Sequence, residues 1–452
     1  MELFEQATAL HVEGKFEEAE LLYDQLLSQN HDNAGLLGTV GTLYLAMGKP
    51  GLAITLLEHA LAKSKNGRAS DVLSNLGLAY KQCGLREKSA KYMKEAIGDH
   101  LDPSPEAMTN YGALFIEHED RAIGKKYLEK AISEKPELAL AHWNYALILL
   151  SEGKWETAWD EHELGFGCKS RIDRQYGDMP EWDGSPNKTV LIYGEQGIGD
   201  EIMFASMLPD VMKTNEVILE CHKRLKTLFE NSFGIKCYGT REDSEIDWLD
   251  RHRFDAKCSI GSLGKFYRRS KEAFPGTPYL LAPSLPKADR FRVGISWTGG
   301  KKATRVVKRT VPLSWWKTIL NNDCEFVSLQ YTDCSDEIRI VNEMGYNIKE
   351  FDAVKAEDYN ETAKLVKSCD LVISVCTSVV HLAGALGVPC WVMTPHAPAW
   401  RYGVTGPMPW YRSVRLYRQA QTSVEAWIPV VQKIGFDLDE LLSGKRRIVR
   451  VA

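Results

Sequence analysis

Three residues with phosphate-binding chemistry follow a short apolar run in DLVISVCTSVVHLAGALGVP, residues 370–389. Thr377 and Ser378 bring hydroxyls to the point where a helix should open, and His381 falls one turn later on the same side. A helix that opens at the carboxyl end of a parallel strand offers unpaired N–H groups and a positive dipole end, which suits an anion. A second turn, GEQGIGDE at 194–201, sets Gly194, Gly197 and Gly199 among the carboxylates Glu195, Asp200 and Glu201. Asp200 is the candidate general base, able to take the proton of an attacking hydroxyl, with Glu195 and Glu201 in reserve. The plainer reading of Asp200 is a helix N-cap. A third segment, KKATRVVKRTVPL (301–313), carries Arg305, Lys308 and Arg309, cations for an anionic leaving group; its plainer reading is an exposed basic loop. Ser296 and Gln330 stand at the ends of two apolar runs as further ligand contacts, and Trp400 and Arg401 are expected to wall the same site.

The elements that must position these residues alternate strand and helix. Apolar runs at 190–193, 217–220, 235–238 and 256–260 read as one set of strands, and 293–297, 326–330, 348, 371–375 and 390–395 as a second, with amphipathic helices between them. Such alternation means parallel sheets covered by helices, with ligands at the carboxyl ends of the strands. The glycines of 194–199 do not follow the GxGxxG spacing, and no acidic residue stands clearly at the end of the second strand, so a dinucleotide-dependent oxidoreductase is the disfavoured reading.

The first third follows a different rule. Gly14, Gly48, Gly84 and Gly153 recur at about one 34-residue unit, or two where Glu119 replaces the glycine. Ala7, Gly41, Gly77, Gly112 and Ala146 recur in step, each followed three residues later by Leu10, Tyr44, Tyr80, Phe115 or Leu149. A helix–turn–helix unit of this length is the tetratricopeptide signature. About five units stack over residues 1–165 into a solenoid, whose concave face is expected to bind a peptide or protein; a spacer or a homo-oligomer surface is the other reading.

Composition narrows the classes. The 452 residues are 44% hydrophobic and 26% charged, as in ordinary globular domains. Residues 1–165 hold 16 basic against 26 acidic side chains, which argues against nucleic acid, and residues 286–452 hold 23 against 17, which suits an anionic ligand. Ten scattered cysteines show neither CxxC nor metal-ligand spacing. No apolar run reaches the ~20 residues of a membrane span, and the acidic N-terminus does not resemble a signal peptide, so the expected location is cytoplasmic.

GEQGIGDEIMFASMLP, the SLQ of 328–330, DLVISVCTSVVHLAGALGVPCWVM, WRYG (400–403) and PWYRSVRLYRQ (409–419) together resemble the heptosyltransferase-like glycosyltransferases, and with the repeats a bacterial group of repeat-fused transferases. The resemblance implies a fold of α plus α/β class: a tetratricopeptide solenoid followed by a GT-B fold of two Rossmann-like domains. The expected organisation is the array (1–165), a linker (166–188), an acceptor-side domain (189–285), a nucleotide-sugar domain (286–430) and a C-terminal helix or tail (431–452). It also implies an inverting transfer from a nucleotide-sugar donor, with no metal and no other cofactor. Asp200 matches the family's base. Gly197, Gly199, Ser296, Lys308, Arg309, Gln330, Thr377, Ser378 and His381 fall in its donor-binding segments, with Trp400 and Arg401 as site wall. Cys376 stands where many relatives have Asp, so a repeat scaffold retaining an inactive sugar-nucleotide module is the alternative.

Overall fold

The computed structural model describes residues 2–64, 69–98, 102–116, 118, 120–299 and 306–448. Glu119, Gly300 and Arg305 lie outside them. The chain divides into two compact units, Met1–Ile148 and Leu149–Ala452.

The first unit is a run of paired helices: α1 (Glu2–Glu13) with α2 (Phe16–Gln29), α3 (Ala34–Ala46) with α4 (Pro50–Lys63), α5 (Ala69–Gln82) with α6 (Arg86–Ala96), α7 (Pro105–Gly112) with α8 (Arg121–Glu134), and the start of α9 (Ala139–Ser151). The periodic glycines have two separate causes. Gly14, Gly48 and Gly84 take φ of 82°, 69° and 78°. After each, the next N–H reaches back to the carbonyl of Leu10, Tyr44 or Tyr80 at 2.8–2.9 Å, closing the helix with a Schellman turn. Gly41, Gly77 and Gly112 instead make room: a Cβ there would stand 2.7 Å from Leu57 Cγ, 2.4 Å from Met93 Cγ and 2.8 Å from Leu128 Cγ. Each pair thus closes on a large residue of its second helix. Where the turn glycine is missing from the period, α7 runs into a 3₁₀ turn, Ala113–Phe115.

The second unit opens with α10 (Trp155–Glu163). The sequence places the end of the array at 165. The structure divides the chain earlier, because Trp159 donates its indole N–H to Arg268 O at 2.8 Å and Trp155 packs on Phe274, both in the second unit. Strands β1 (Thr189–Tyr193), β2 (Glu216–Glu220), β3 (Lys236–Tyr238) and β4 (Ala256–Ser259) form a parallel sheet of order β3-β2-β1-β4. Strands β5 (Arg292–Ser296), β6 (Glu325–Ser328), β7 (Ile348–Lys349), β8 (Leu371–Val375), β9 (Cys390–Thr394) and β10 (Val414–Arg418) form a second, ordered β10-β9-β8-β5-β6-β7. Their helices are α11 (Ile198–Phe204), α12 (Leu208–Val211), α13 (Lys226–Phe233), α14 (Gly264–Tyr267), α15 (Lys317–Leu320), α16 (Ser335–Glu343), α17 (Tyr359–Lys367), α18 (Ser378–Ala385) and α19 (Trp427–Leu442).

Two differences from expectation have clear reasons. β10 is absent from the strands read in the sequence: Arg415 and Arg418 break its apolar pattern, and it is recruited by pairing with β9 in register Val414↔Cys390. The boundary at 430/431 falls inside α19, which is no separate tail. Val430, Ile434 and Leu438 are buried in the second sheet's core, and Gly435 lies so close to Thr318 O that a Cβ would stand 2.6 Å away. Each sheet changes winding direction once, between β1 and β4 and between β5 and β8. At such a reversal the loops leave a crevice at the carboxyl ends. The turns after β1, β5 and β8 carry the sequence motifs.

Candidate functional site

The turn after β1 is held from behind by buried charge. Glu195 is fully buried and accepts from Arg171 Nε and Nη2 at 3.0 and 2.6 Å and from Ser259 Oγ. Arg171, also buried, reaches Glu163 on α10 at 2.5 Å. Burial alone would lower the Arg171 pKa, but Glu195 and Glu163 outweigh it and raise it. Glu201 is fully buried too. It pairs with Arg241 at 2.6 Å, accepts the His222 N–H at 3.0 Å, and lies so close under Gly194 that a Cβ there would meet its carboxylate at 2.6 Å. Burial pushes the Glu201 carboxyl up to about 7, against the pull of Arg241. Both reserve carboxylates are therefore taken up in positioning the loop. The left-handed residue of the turn is Gln196 (φ 63°), not a glycine, and its carbonyl accepts from Arg241 Nη1 at 2.6 Å. Gly197 is extended, with φ −98° and ψ 162°.

Asp200 is the carboxylate of this turn that reaches across to the other sheet. It stands in the first turn of α11 and makes a salt bridge with Arg401, each side chain being 18% exposed. Gly199, beside it, makes room for a close helix approach. A Cβ there would stand 3.2 Å from Ser378 Cα and 3.3 Å from His381 Cδ2. The start of α11 lies so close to the start of α18 that a side chain at 199 would crowd Ser378 and His381.

Around α18, Thr377 is the N-cap residue but does not cap with its side chain; its hydroxyl lies 3.2 Å from Ser374 Oγ. Ser378 Oγ accepts from Tyr359 Oη at 3.3 Å. His381 is 3% exposed, with Nδ1 3.3 Å from Tyr411 Oη. Burial first and Arg401 second lower its pKa to about 3, so at neutral pH the ring is uncharged and can serve an anion as an N–H donor, not as a cation. The Cys376 thiol is buried at 3.7 Å from Met393 O, and burial pushes its pKa up to about 12. Its carbonyl, not its side chain, meets Arg309 Nη1 at 3.4 Å. Lys308 and Arg309 close the short 3₁₀ turn Val306–Arg309.

Asp200, Arg401, Gly199, Ser378 and His381 are thus brought together, with Thr377 and Arg309 beside Cys376. Ser296 and Gln330 form their own group: Gln330 Oε1 accepts from Ser296 Oγ at 3.1 Å and from the N–H groups of Trp297 and Thr298 at 3.3 Å, while its Nε2 donates to Thr298 O and Thr332 Oγ1 at 2.9 Å. That amide splints the loop after β5. Trp400, expected in the site wall, packs in an aromatic cluster: the residue is 7% exposed and its ring lies 6.0–6.3 Å from Trp159, Phe204 and Trp410. Sequence reading does not find Arg171, Arg241, Tyr359 or Tyr411. Each acts on a partner remote in sequence, and no local spacing marks it.

The tetratricopeptide repeat family matches residues 70–98. Protein FlbA of Caulobacter vibrioides is 26% identical over an alignment of 508 residues, spanning 97% of this chain and 84% of that protein. Solved repeat structures are similar to part of the chain. MamA is 18% identical over 36% of this chain and 94% of its own, with a TM-score of 0.27. Pseudomonas aeruginosa PilF is 16% identical over 47% and 83%, with a TM-score of 0.32. The front of the chain is an array of tetratricopeptide-like helical repeats, and the back is a region of parallel sheets and helices. No helix among the described residues is long and apolar enough to cross a membrane.

Proposed function

We propose that this chain is an inverting glycosyltransferase of GT-B type that needs no metal and moves a sugar from a nucleotide-sugar donor to an acceptor, a protein or peptide held by the repeat array. The observation that carries the reading is the meeting of two turns from two parallel sheets. Asp200, at the start of α11, stands against Arg401 and within reach of the start of α18, where Thr377, Ser378 and neutral His381 gather donor groups. An anion at α18 would be served by the helix N-terminus, Ser378 and Arg309. Asp200, released from Arg401, would take the acceptor hydroxyl proton. Arg401 would then be available to the diphosphate that leaves. In the array, a groove of about 690 Å³ lined by Thr39, Thr42, Asn75, Glu106 and Asn110 offers polar side chains to an extended peptide.

The test is to incubate the full chain with a panel of nucleotide sugars and follow nucleotide release, with and without candidate acceptor proteins. Release from one sugar–nucleotide class, accelerated by an acceptor whose mass rises by that sugar, is the expected result. Neither binding nor release across the panel overturns it. One observation favours the scaffold alternative: the proposed base is already ion-paired with Arg401. Binding of a nucleotide sugar without release would establish that reading instead.

A further inference from the structure

The second unit holds a cavity of about 350 Å³ that none of the turns described above lines. It lies where α11 and α12 lead toward β2, where α13 ends, and where the chain crosses from the first sheet to the second through Pro275–Tyr279. Neither Asp200 nor His381 lines it. Its volume falls within the ~300–1,000 Å³ of small-molecule sites.

Three lining residues each carry a buried side-chain donor that has no partner among the described residues: Ser206 Oγ, Arg268 Nε and Trp410 Nε1. Unpartnered buried donors are rare, because each gives up its bond to water and gains none in return. The other Arg268 nitrogens are satisfied: Nη1 donates to Asp210 Oδ2 and Tyr267 O at 2.8 Å, and Nη2 to Ser206 O at 2.9 Å. Asp210 is paired a second time, with Lys213 at 2.8 Å, but Lys213 is largely exposed and does not line the cavity, so the charged groups of the wall are Arg268 and Asp210. The rest of the wall is aromatic. Phe274 and Trp410 meet edge to face at 4.9 Å, and Tyr279 closes another side.

We propose that this cavity is a second ligand site, separate from the candidate cleft, for a small carboxylate carrying a flat apolar body. Arg268 Nε and Trp410 Nε1 can only donate, and the Ser206 hydroxyl can donate with them, so the ligand presents acceptors. Arg268 Nε belongs to a guanidinium, whose bond to a carboxylate is charge-assisted, and the ring walls select a flat apolar remainder.

Benzoate is the probe, titrated into the full chain by calorimetry, with benzyl alcohol as a neutral analogue of like size. The expected result is one benzoate site with Kd below about 1 mM, at least about tenfold tighter than benzyl alcohol. Ser206→Ala removes one unpartnered donor and keeps the packing, whereas Trp410→Phe removes another and also shrinks a buried ring packed on Phe274 and Trp400. Each should weaken benzoate severalfold, and Ser206→Ala should, without ligand, leave the melting temperature unchanged or raised. No benzoate binding by about 10 mM, equal affinity for benzyl alcohol, or unchanged affinity in both variants overturns the site. A crystal soaked with benzoate that shows only water in the cavity also overturns it. Should a variant fail to fold, the benzoate-to-benzyl alcohol ratio of the unmodified chain still decides.

Discussion

The turn after β1 and the turn after β8 open helices at corresponding places in two parallel sheets, yet they spend their polar groups in opposite ways. The first is rich in carboxylates and ties two of the three down: Glu195 to Arg171 and Ser259, Glu201 to Arg241 and the His222 amide. The second has no carboxylate, and its hydroxyls and imidazole make neutral contacts, to Ser374, Tyr359 and Tyr411. One turn leaves a single carboxylate, Asp200, facing the other sheet, and the other presents uncharged polar groups. Under the proposed function, this asymmetry is that of a base facing a donor site.

The largest expected break of this contrast is Asp200→Asn. It keeps the shape of the first turn and removes the proton acceptor, so the acceptor-dependent rate should fall about 10²–10⁴-fold while donor binding persists. Undiminished turnover would show that Asp200 only holds Arg401; it does not cap α11, whose N-cap is Gly197. Next, Arg171→Met leaves Glu195 buried without its partner, and should cost ~3–5 kcal/mol in denaturant unfolding of the full chain. A loss under 1 kcal/mol, roughly a surface pair's worth, would mean that the buried network does not hold the first turn.

The two turns should also respond to pH with opposite sign. Glu201 has a folded-state pKa raised to about 7 from 4.5, so its stabilising contribution is complete below about 4.5 and lost as pH rises through 7. His381 has a folded-state pKa lowered to about 3 from 6.5, so its contribution is complete above about 6.5 and lost as pH falls toward 3. Glu201→Gln should flatten the alkaline-side decline of stability and His381→Asn the acid-side decline, each on the order of 1–3 kcal/mol across its window. Unfolding free energies from pH 4 to 8 check both; equal slopes in variant and parent would remove the contrast. The smallest expected effect is Ser378→Ala, which should raise the donor KM about three- to tenfold with kcat nearly unchanged, the measure of one hydroxyl contact.

Much of the architecture was legible because it rests on local periodicity. The 34-residue glycine series in the array is a run of Schellman turns and of close helix crossings, and both need a residue type at a fixed position. Nine strands could be read from short apolar stretches and the strand–helix alternation, most readily β1, β8 and β9, where a strand covered on both faces needs an apolar run. The tenth, β10, could not, because edge pairing with β9 compensates for its two arginines. At the site, the segments were legible and the roles were not. Gly199 admits the close approach of α18, Gln330 splints the loop after β5 and Trp400 packs among aromatic rings, contacts that no local spacing announces.

By itself the sequence determined which elements form and where chemistry can stand. Turns, caps and strand–helix alternation are set by neighbours within a few positions. The tertiary structure alone decided which of three adjacent carboxylates keeps a path to the opposite sheet. That choice is made by Arg171, Arg241 and Arg401, which meet Glu195, Glu201 and Asp200 only after the sheets have formed. Burial then sets the charge state of each, because a low-dielectric interior charges or neutralises a group according to partners that the chain brings from far away.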